Sequence, residues 1–260
     1  MVTTDSLIIS QQFRGPPNSA NGGYACGVVA ARLEAEVECA IEVSLRAPPP
    51  LDTPMRVVRT DVGVEVHHDD ILVASARRAV LDLDVPPVPS VSEAARAMAD
   101  TPARWADVNP LLKGRRGVHP ICFCCGDELE EGYGLRVQPG ALSDTRAAGL
   151  WTPHPTFAGA DGSLALEFVW TALDCPGEFA WYERDGAGGV RNSALLARLT
   201  AVVHAPVPVG QPCIVLGWRL GESGRKYEAG TALYAPDGTP LAQARALWVR
   251  FDPSRLKAAP

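Results

Sequence analysis

The feature that most constrains the fold is an internal repeat. The segment LRAPPPLDTPMRVVRTDVG at 45–63 aligns with VHAPVPVGQPCIVLGWRLG at 203–221, at a constant offset of 158 residues. Six of the nineteen aligned positions are identical, and three of those six are prolines in one turn. A second match, VASARRAV from Val73 and LAQARALW from Leu241, follows at a longer offset. A period this long indicates a duplicated domain and not a solenoid of short repeats.

Each copy is predicted to contain one long helix and about five strands of a largely antiparallel sheet, which makes the fold class α+β. The first helix is expected to open at the Asn-Gly-Gly at 21–23 and to end near Val37. The second helix is expected at 164–183. Strands are predicted at 6–13, 39–46, 55–62, 65–67, 71–83, 134–139, 146–152, 195–204, 213–220, 227–234 and 240–251. The domains are then 1–88 and 118–260, joined by a proline-rich linker at 89–117 that holds a short helical piece.

Composition excludes several classes of function. The chain has 260 residues and a formal net charge of −6, which argues against a nucleic-acid partner because a phosphate backbone attracts a basic surface. It contains no run of about 18 apolar residues of the kind that crosses a membrane. Its N-terminus lacks the basic start and long apolar run of a signal peptide. We therefore expect a cytoplasmic protein with no membrane span.

The seven cysteines are an odd number, and a cytoplasmic compartment is reducing, so we expect free thiols. The cluster HPICFCCG contains Cys122, Cys124 and Cys125. Its Cys-x-x-Cys pair supplies only two metal ligands, and no second pair lies at the spacing of a zinc finger. We therefore expect a loop that leads into a strand, and no metal.

The opening of the first helix, SANGGYACG at 19–27, is the first candidate for chemistry. Ser19 or Asn21 can cap the helix. Gly22 and Gly23 carry no side chain, so another molecule can approach the backbone closely. The unpaired N–H groups and the helix dipole together attract anions and polarised carbonyl oxygens. The alternative is that the two glycines only make a turn.

Asp174 is the second candidate, because it is the only carboxylate in the apolar run FVWTALDCPG at 168–177. Burial beside Trp170 and Cys175 would raise its pKa toward values useful in catalysis. The alternative is that Asp174 merely caps the helix break before Pro176, since Asp is a common cap residue.

Three motifs carry a resemblance to a known family. SANGGYACG is similar to the opening of the hotdog helix in thioesterase-like proteins. CFCCGDELEEGYGLRV at 122–137 resembles the entry strand of phenylacetate-pathway-type thioesterases, and VWTALDCPGEFAW at 169–181 resembles their helix with its acidic residue. Over nearly its whole length the chain looks like a double hotdog acyl-CoA thioesterase. The resemblance implies a tandem hotdog, in which each half is a long helix wrapped by an antiparallel sheet.

The resemblance also implies a composite site between the halves. Backbone amides of Gly22 and Gly23 would hold the thioester oxygen, and Asp174 would act as general base or nucleophile. The mirror-related site would be dead, because Val29, Ala30 or Ala31 stand opposite the Asp174 position and 164–167 reads Leu-Ala-Leu-Glu. No cofactor is expected beyond coenzyme A as part of the substrate, and chains are expected to associate as homo-oligomers. Substrate-binding candidates are Asn21, Tyr24, Phe168 and Trp170 near the acyl group, and Arg14, Arg225 and Lys226 near the phosphates of coenzyme A.

Two alternatives to a thioesterase stay open. Broad-specificity duplicated thioesterases use a hydroxyl and an amide beside the acid, and those positions fall here near Leu196 and Ala246. Gln243, Thr200 and Ser193 lie close by in the sequence but out of register. A non-catalytic acyl-CoA binding protein is therefore the second reading. An enoyl-CoA hydratase is the third, because DVNPLL at 107–112 imitates the Asp-x-Asn-Pro-x-His signature of those enzymes. Leu112 stands where their catalytic histidine belongs.

Overall fold

The structure is a computed structural model that describes residues 5–33, 39–106, 108–109, 112, 114–184, 190–191 and 194–251. Within these residues, eleven strands form one antiparallel sheet and two short strands form a separate pair. The strands are β1 (Ser6–Leu7), β2 (Ala40–Leu45), β3 (Met55–Thr60), β4 (Gly63–His68), β5 (Ile71–Ala79), β6 (Gly140–Ser143), β7 (Arg146–Trp151), β8 (Glu183–Arg184), β9 (Val190–Arg191), β10 (Ala194–Val203), β11 (Cys213–Ser223), β12 (Lys226–Tyr234) and β13 (Pro240–Arg250).

The order of the strands follows the sequence repeat. Across the large sheet the order is β1-β3-β4-β5-β2-β10-β13-β12-β11-β7-β6, so β2 and β10 meet at the centre. Outward from that centre, β5, β4 and β3 on one side match β13, β12 and β11 on the other. At the central pair Glu42 lies opposite Thr200, which is 158 residues further along the chain. Glu42 and Thr200 are therefore equivalent positions of the sequence repeat that lie opposite each other in the antiparallel central pair.

Four α-helices lie on the two faces of this sheet: α1 (Gly22–Ala30), α2 (Val91–Ala97), α3 (Leu166–Ala172) and α4 (Cys175–Phe179). Successive residues of a strand point to opposite faces. On β11, Val215 belongs to the core beneath α1, α3 and α4, whereas Ile214 and Leu216 pack with Ala94 and Ala97 of α2. Each face of the sheet therefore has its own apolar cover.

The helices are shorter than the sequence analysis predicted. Helix α1 ends at Ala30 instead of near Val37, and residues 34–38 lie outside the described residues. The single helix predicted at 164–183 is broken into α3 and α4 at Asp174, whose φ and ψ are −82° and −81°. Pro176 explains the break, because it has no N–H to donate and its ring clashes with the preceding turn of a helix.

Most predicted strands are confirmed to within a few residues, and two are not. The strand predicted at 6–13 is reduced to β1 and is followed by a 3₁₀ turn, Gln11–Phe13. The segment predicted as a strand at 134–139 forms no regular ladder: Leu135 donates to the carbonyl of Phe123 and Val137 to that of Cys124. The regular ladder begins only at β6.

The segment predicted as a linker, 89–117, packs on the sheet where the structure describes it. Helix α2 begins with a capping box between Ser90 and Glu93 and buries Ala94 and Ala97. Thr101 is also buried, and its hydroxyl donates to the carbonyl of Pro139 at 2.8 Å.

Helices α1 and α3 pack antiparallel and unusually close. A Cβ atom added to Gly23 would lie 2.6 Å from the Cβ of Asp174, and one added to Gly27 would lie 2.6 Å from the Cα of Glu167. Only glycine fits at these two positions, which are one helical turn apart and face α3. The start of α1 therefore lies against the end of α3. No helix within the described part of the chain is long and apolar enough to cross a membrane.

Candidate active site

The close packing of the two helices places Asp174 at the N-terminus of α1. One carboxylate oxygen, Oδ2, accepts a hydrogen bond from the backbone amide of Gly23 at 2.9 Å and another from Nδ2 of Asn21 at 2.8 Å. Asn21 is also the N-cap of α1, since its side-chain oxygen accepts from the amide of Tyr24 at 2.9 Å. Residues from the two halves of the chain are thus joined directly, and Asn21 has both of its side-chain functions engaged.

The electrostatics of Asp174 follow from its burial. The residue is only 2% exposed, and its second oxygen, Oδ1, has no hydrogen-bond partner among the described residues. Burial raises the pKa of Asp174 to about 8, against the opposing effect of the hydrogen bond from Gly23. The carboxyl group therefore titrates close to neutral pH, as a general base should.

Asp174 is not a helix cap in the sense of the alternative considered above. It occupies the N-cap position of α4, but its side chain makes no capping hydrogen bond there. Its carboxylate is directed instead at the start of α1. The position of the Asp174 side chain is therefore better explained by its contact with α1 than by capping of α4.

The two glycines differ in what their amides can do. The amide of Gly23 already donates to Asp174, so it is engaged and does not face a substrate in this structure. The amide of Gly22 is the first of the helix and has no acceptor among the described residues. Gly22 lines the adjacent pocket, and a Cβ there would lie 2.8 Å from the Cβ of Leu196. Of the two amides expected to hold the thioester oxygen, only that of Gly22 thus remains available to a ligand.

A pocket of about 230 Å³ opens in front of these groups. Its walls come from the loop before α1, the turn after β2, the first residues of α4, the start of β10 and the end of β13. Asp174, Asn21 and Gly22 form its polar floor, and Leu45, Leu195 and Leu196 are among its apolar walls.

His119 and Glu178 also line this pocket, and sequence reasoning missed both. Glu178 is 2% exposed and lies 3.2 Å from Nε2 of His119, which is also 2.7 Å from the hydroxyl of Tyr182. Burial lowers the pKa of His119, but the charge and hydrogen bond of Glu178 outweigh it and raise that pKa to about 9. The sequence held a signal for each residue: Glu178 follows Asp174 by four positions, and His119 opens the HPICFCCG motif.

The aromatic residues predicted to bind substrate lie elsewhere. Tyr24 and Phe168 belong to an aromatic cluster with Phe13 and Phe123, in which the rings of Phe13 and Tyr24 stack at 4.0 Å between centroids. Trp170 is buried in the contact between α1 and α3. None of Tyr24, Phe168 and Trp170 lines the pocket at Asp174. Helical spacing of aromatics here marks core packing.

A polar groove of about 520 Å³ continues from the mouth of the pocket. The pocket and the groove share Leu45, Arg46, Ala197 and Val249. Lys226, a predicted contact for coenzyme A, lines the groove, whereas Arg225 does not and donates to the carbonyl of Arg250 at 3.1 Å. Arg46 was not foreseen. It is exposed, and its side chain has no hydrogen-bond or ion-pair partner among the described residues.

The mirror-related position at the other end of the helix pair holds a larger pocket of about 670 Å³. Ala30 and Ala31 of the α1 end line it, opposite Leu164 and Ala165 before α3. Ala165 caps α3 without a side-chain hydrogen bond, and among the residues that the structure describes the carboxylate lining this pocket is the exposed Asp161. Within the described residues, the first pocket is lined by the buried Asp174, whereas the second is lined by no buried carboxylate. The inactivity of the mirror-related site stays a prediction.

The side chains considered as further catalytic partners do not surround Asp174. Leu196 lines the pocket, Ala246 is buried in β13, and Gln243 lies 3.3 Å from the ring of His204. Thr200 sits in the central strand pair, and Ser193 lies outside the described residues. In the hydratase-like segment, Asp107, Pro110 and Leu111 are likewise outside the described residues.

Neither a protein-family model nor a curated protein sequence matches the chain. Solved structures do match. A candidate thioesterase from Novosphingobium aromaticivorans superposes with a TM-score of 0.58 at 11% identity, covering 95% of both chains. The tesB protein of Mycobacterium avium subspecies paratuberculosis gives 0.53 at 14% identity, covering 90% of this chain and 88% of that one.

A conserved protein with a hot dog fold from Alicyclobacillus acidocaldarius gives a TM-score of 0.54 at 13% identity, covering 95% of this chain and 93% of that one. The chain therefore has a hotdog fold and is similar in structure to thioesterases over most of its length. At these identities the likeness establishes the fold, and function has to be argued from the site.

The contact of His119 with the buried carboxylate of Glu178 makes a prediction about stability. Replacing His119 by Ala leaves Glu178 buried without its cationic partner, so we expect the free energy of unfolding to fall by about 3 kcal/mol. The more exposed pair of His67 and Glu65 is the matched control, and His67→Ala should cost less than about 1 kcal/mol. Urea denaturation followed by circular dichroism measures both values. Equal losses in the two variants would contradict a buried charge pair at Glu178.

Proposed function

We propose that the protein hydrolyses acyl thioesters, with acyl-CoA as the substrate, at the pocket in front of Asp174. The observation that carries this proposal is the contact between the Asp174 carboxylate and the first turn of α1, beside a pocket into which the Gly22 amide is free to donate. A carboxylate and a backbone donor at one pocket are what thioester hydrolysis requires. The structural likeness to thioesterases agrees with this reaction class.

We further propose that the chain is a tandem double hotdog with units at 1–88 and 118–260 and a connecting segment at 89–117. The matching strand order and the pairing of Glu42 with Thr200 support a duplication about a pseudo-two-fold axis at the central strand pair. The site then belongs to both units, since α1 comes from the first and Asp174 from the second. Association of whole chains into homo-oligomers stays a prediction.

The proposed chemistry divides between two groups. The thioester carbonyl oxygen accepts from the Gly22 amide, where the helix dipole also stabilises the negative charge that develops on it. As a general base, Asp174 Oδ1 takes a proton from the water that attacks the carbonyl carbon; the C–S bond then breaks, and the proton passes to the departing thiolate. As a nucleophile, Oδ1 attacks the carbonyl carbon and displaces the thiolate, and water then hydrolyses the acyl-enzyme anhydride to release the carboxylic acid and restore Asp174. Asn21 and the Gly23 amide hold the other oxygen, Oδ2, and so fix the orientation of the carboxylate. In this account Gly23 positions the acid, and Gly22 contacts the substrate.

Coenzyme A is proposed because the acyl pocket leads into a groove with cationic side chains. Arg46 lies at the junction between pocket and groove, and Lys226 lies further along it. Arg77 and Arg198 also line the groove, but both lie near the carboxylate of Glu42. Arg46 and Lys226 are thus the cations best placed to contact phosphates, although the whole chain is negatively charged.

A non-catalytic acyl-CoA binding protein is the second candidate. It is favoured by one observation, that no hydroxyl or amide side chain of β10 or β13 lines the pocket beside Asp174 within the described residues. In that case the pocket would retain a thioester without turning it over.

Replacing Asp174 by Asn tests the assigned role. Asn retains the size of the side chain but cannot accept a proton, so we expect kcat for thiol release to fall at least about 100-fold, with acyl-CoA still bound. Asp161→Asn, in the mirror-related pocket, is the matched control and should keep wild-type turnover. The assay measures free thiol from short, long and aromatic acyl-CoAs, and isothermal titration measures binding. Full activity in Asp174→Asn would exclude this mechanism, and binding without thiol release by the wild type would favour the second candidate.

Replacing Arg46 by Ala tests the substrate class. We expect KM for acyl-CoA to rise about tenfold, as for the loss of one charge-assisted hydrogen bond, and kcat to change little. The same acyl group on N-acetylcysteamine lacks the nucleotide, so its kcat/KM should not change. Arg56→Ala, an exposed arginine that lines neither the pocket nor the groove, should leave both substrates unaffected. An equal fall in kcat/KM for the two thioesters in Arg46→Ala would mean that the groove does not bind the nucleotide part of coenzyme A.

A further inference from the structure

Four thiols lie buried together behind the candidate active site. Cys122, Cys124 and Cys125 belong to the loop at the start of the second unit, before β6, and Cys175 opens α4. The Sγ atoms of Cys122, Cys125 and Cys175 all lie within 4.8 Å of one another, and Cys122 and Cys175 are 3.9 Å apart. All three side chains are at most 3% exposed. Three thiols in mutual contact are more than a disulfide needs.

The loop holds two of these sulfurs in one tight turn. The amide of Gly126 donates to the carbonyl of Cys122 at 2.7 Å, and a Cβ at Gly126 would lie 2.6 Å from the carbonyl oxygen of Pro120. This turn brings the side chains of Cys122 and Cys125 to the same side of the loop, with their sulfurs within 4.8 Å. Cys175 then approaches from α4, fifty residues later in the chain.

A hydrogen-bond donor points at this cluster. Nδ2 of Asn21 donates to Sγ of Cys122 at 3.6 Å. Donors directed at a sulfur stabilise its thiolate form, which is the form that binds metals. Cys124 is directed elsewhere, because its thiol donates to the carbonyl of Thr171 at 3.1 Å.

We propose that Cys122, Cys125 and Cys175 bind one Zn²⁺ ion as three thiolate ligands, with the fourth position open to a non-protein ligand. Zinc bound tetrahedrally by sulfur at about 2.3 Å separates its sulfur ligands by about 3.8 Å. The 3.9 Å between Cys122 and Cys175 already meets that geometry, and Cys125 needs to move by less than about 1 Å. The count of two ligands in the sequence analysis was too low because Cys175 is distant in sequence.

The role that follows is to hold two segments together. The three ligands come from the loop at 122–125 and from α4, so the ion would join the start of the second unit to the helix that follows Asp174. Asn21 contacts both Cys122 and Asp174, and therefore links the metal site to the candidate active site. The inference does not rest on hydrolysis of any substrate.

Zinc binding by the purified full chain tests this proposal. The protein is stripped with a chelator, kept reduced with a phosphine and titrated with Zn²⁺ in competition with a chromophoric chelator. We expect one Zn²⁺ per chain. In Cys125→Ser the affinity should fall at least about 100-fold, because loss of a direct ligand costs no less than loss of a supporting residue. Cys213→Ser removes a buried thiol outside the cluster and should bind as the wild type does.

Cobalt substitution is the second measurement, and it needs no variant that could fail to fold. Thiolate-to-cobalt charge-transfer absorption in the wild-type protein is the expected result. Folded wild-type protein that binds no Zn²⁺ and shows no such absorption would overturn the proposal. Equal zinc affinity in the wild type and in folded Cys125→Ser would also overturn it.

Discussion

The structure depends on the contact between two glycines of α1 and the backbone and side chains of α3. Because Gly23 and Gly27 present no Cβ, the helices approach closely enough for the Asp174 side chain to reach the first turn of α1. A buried carboxylate is costly, and the burial is reflected in a pKa of about 8. Two hydrogen bonds and the positive end of the helix dipole offset part of that cost. Larger residues at these positions would separate the acid from the helix that holds it.

If the chain is a tandem duplication, as proposed, the two ends of the helix pair are free to diverge within one chain. In a symmetric pair both ends carry the same residues, whereas here one end has Asn21, Gly22 and Asp174, and the other has Ala165, Leu166 and Ala31. The second pocket is larger than the first and lined mainly by apolar side chains. Among the described residues, the buried acid and the glycines therefore occur together only at the first pocket.

Much of the sheet could be predicted from the sequence. The alternation of apolar and polar residues marks each strand locally, and the repeat at an offset of 158 residues shows which strands are equivalent. The family resemblance, and not the residue pattern, led to the prediction that Asp174 lies near the Asn-Gly-Gly at 21–23. In the structure Asp174 accepts hydrogen bonds from Asn21 and Gly23. The break at Pro176, the division of roles between Gly22 and Gly23, and the approach of Cys175 to Cys122 depend on packing between distant segments. Tyr24, Phe168 and Trp170 show the same limit, since helical spacing cannot tell a core from a pocket wall.

The central claim is that one pocket, formed by the start of α1 and by Asp174, holds the reacting thioester. A crystal structure with a non-hydrolysable acyl-CoA analogue, in which the thioester sulfur is replaced by a methylene group, tests it most directly. The account predicts the carbonyl oxygen within about 3 Å of the Gly22 amide nitrogen, the carbonyl carbon beside Asp174 Oδ1, and the nucleotide along the groove at Arg46. An analogue seated in the mirror-related pocket at Ala165 and Ala31, or with its carbonyl away from Gly22, would contradict it.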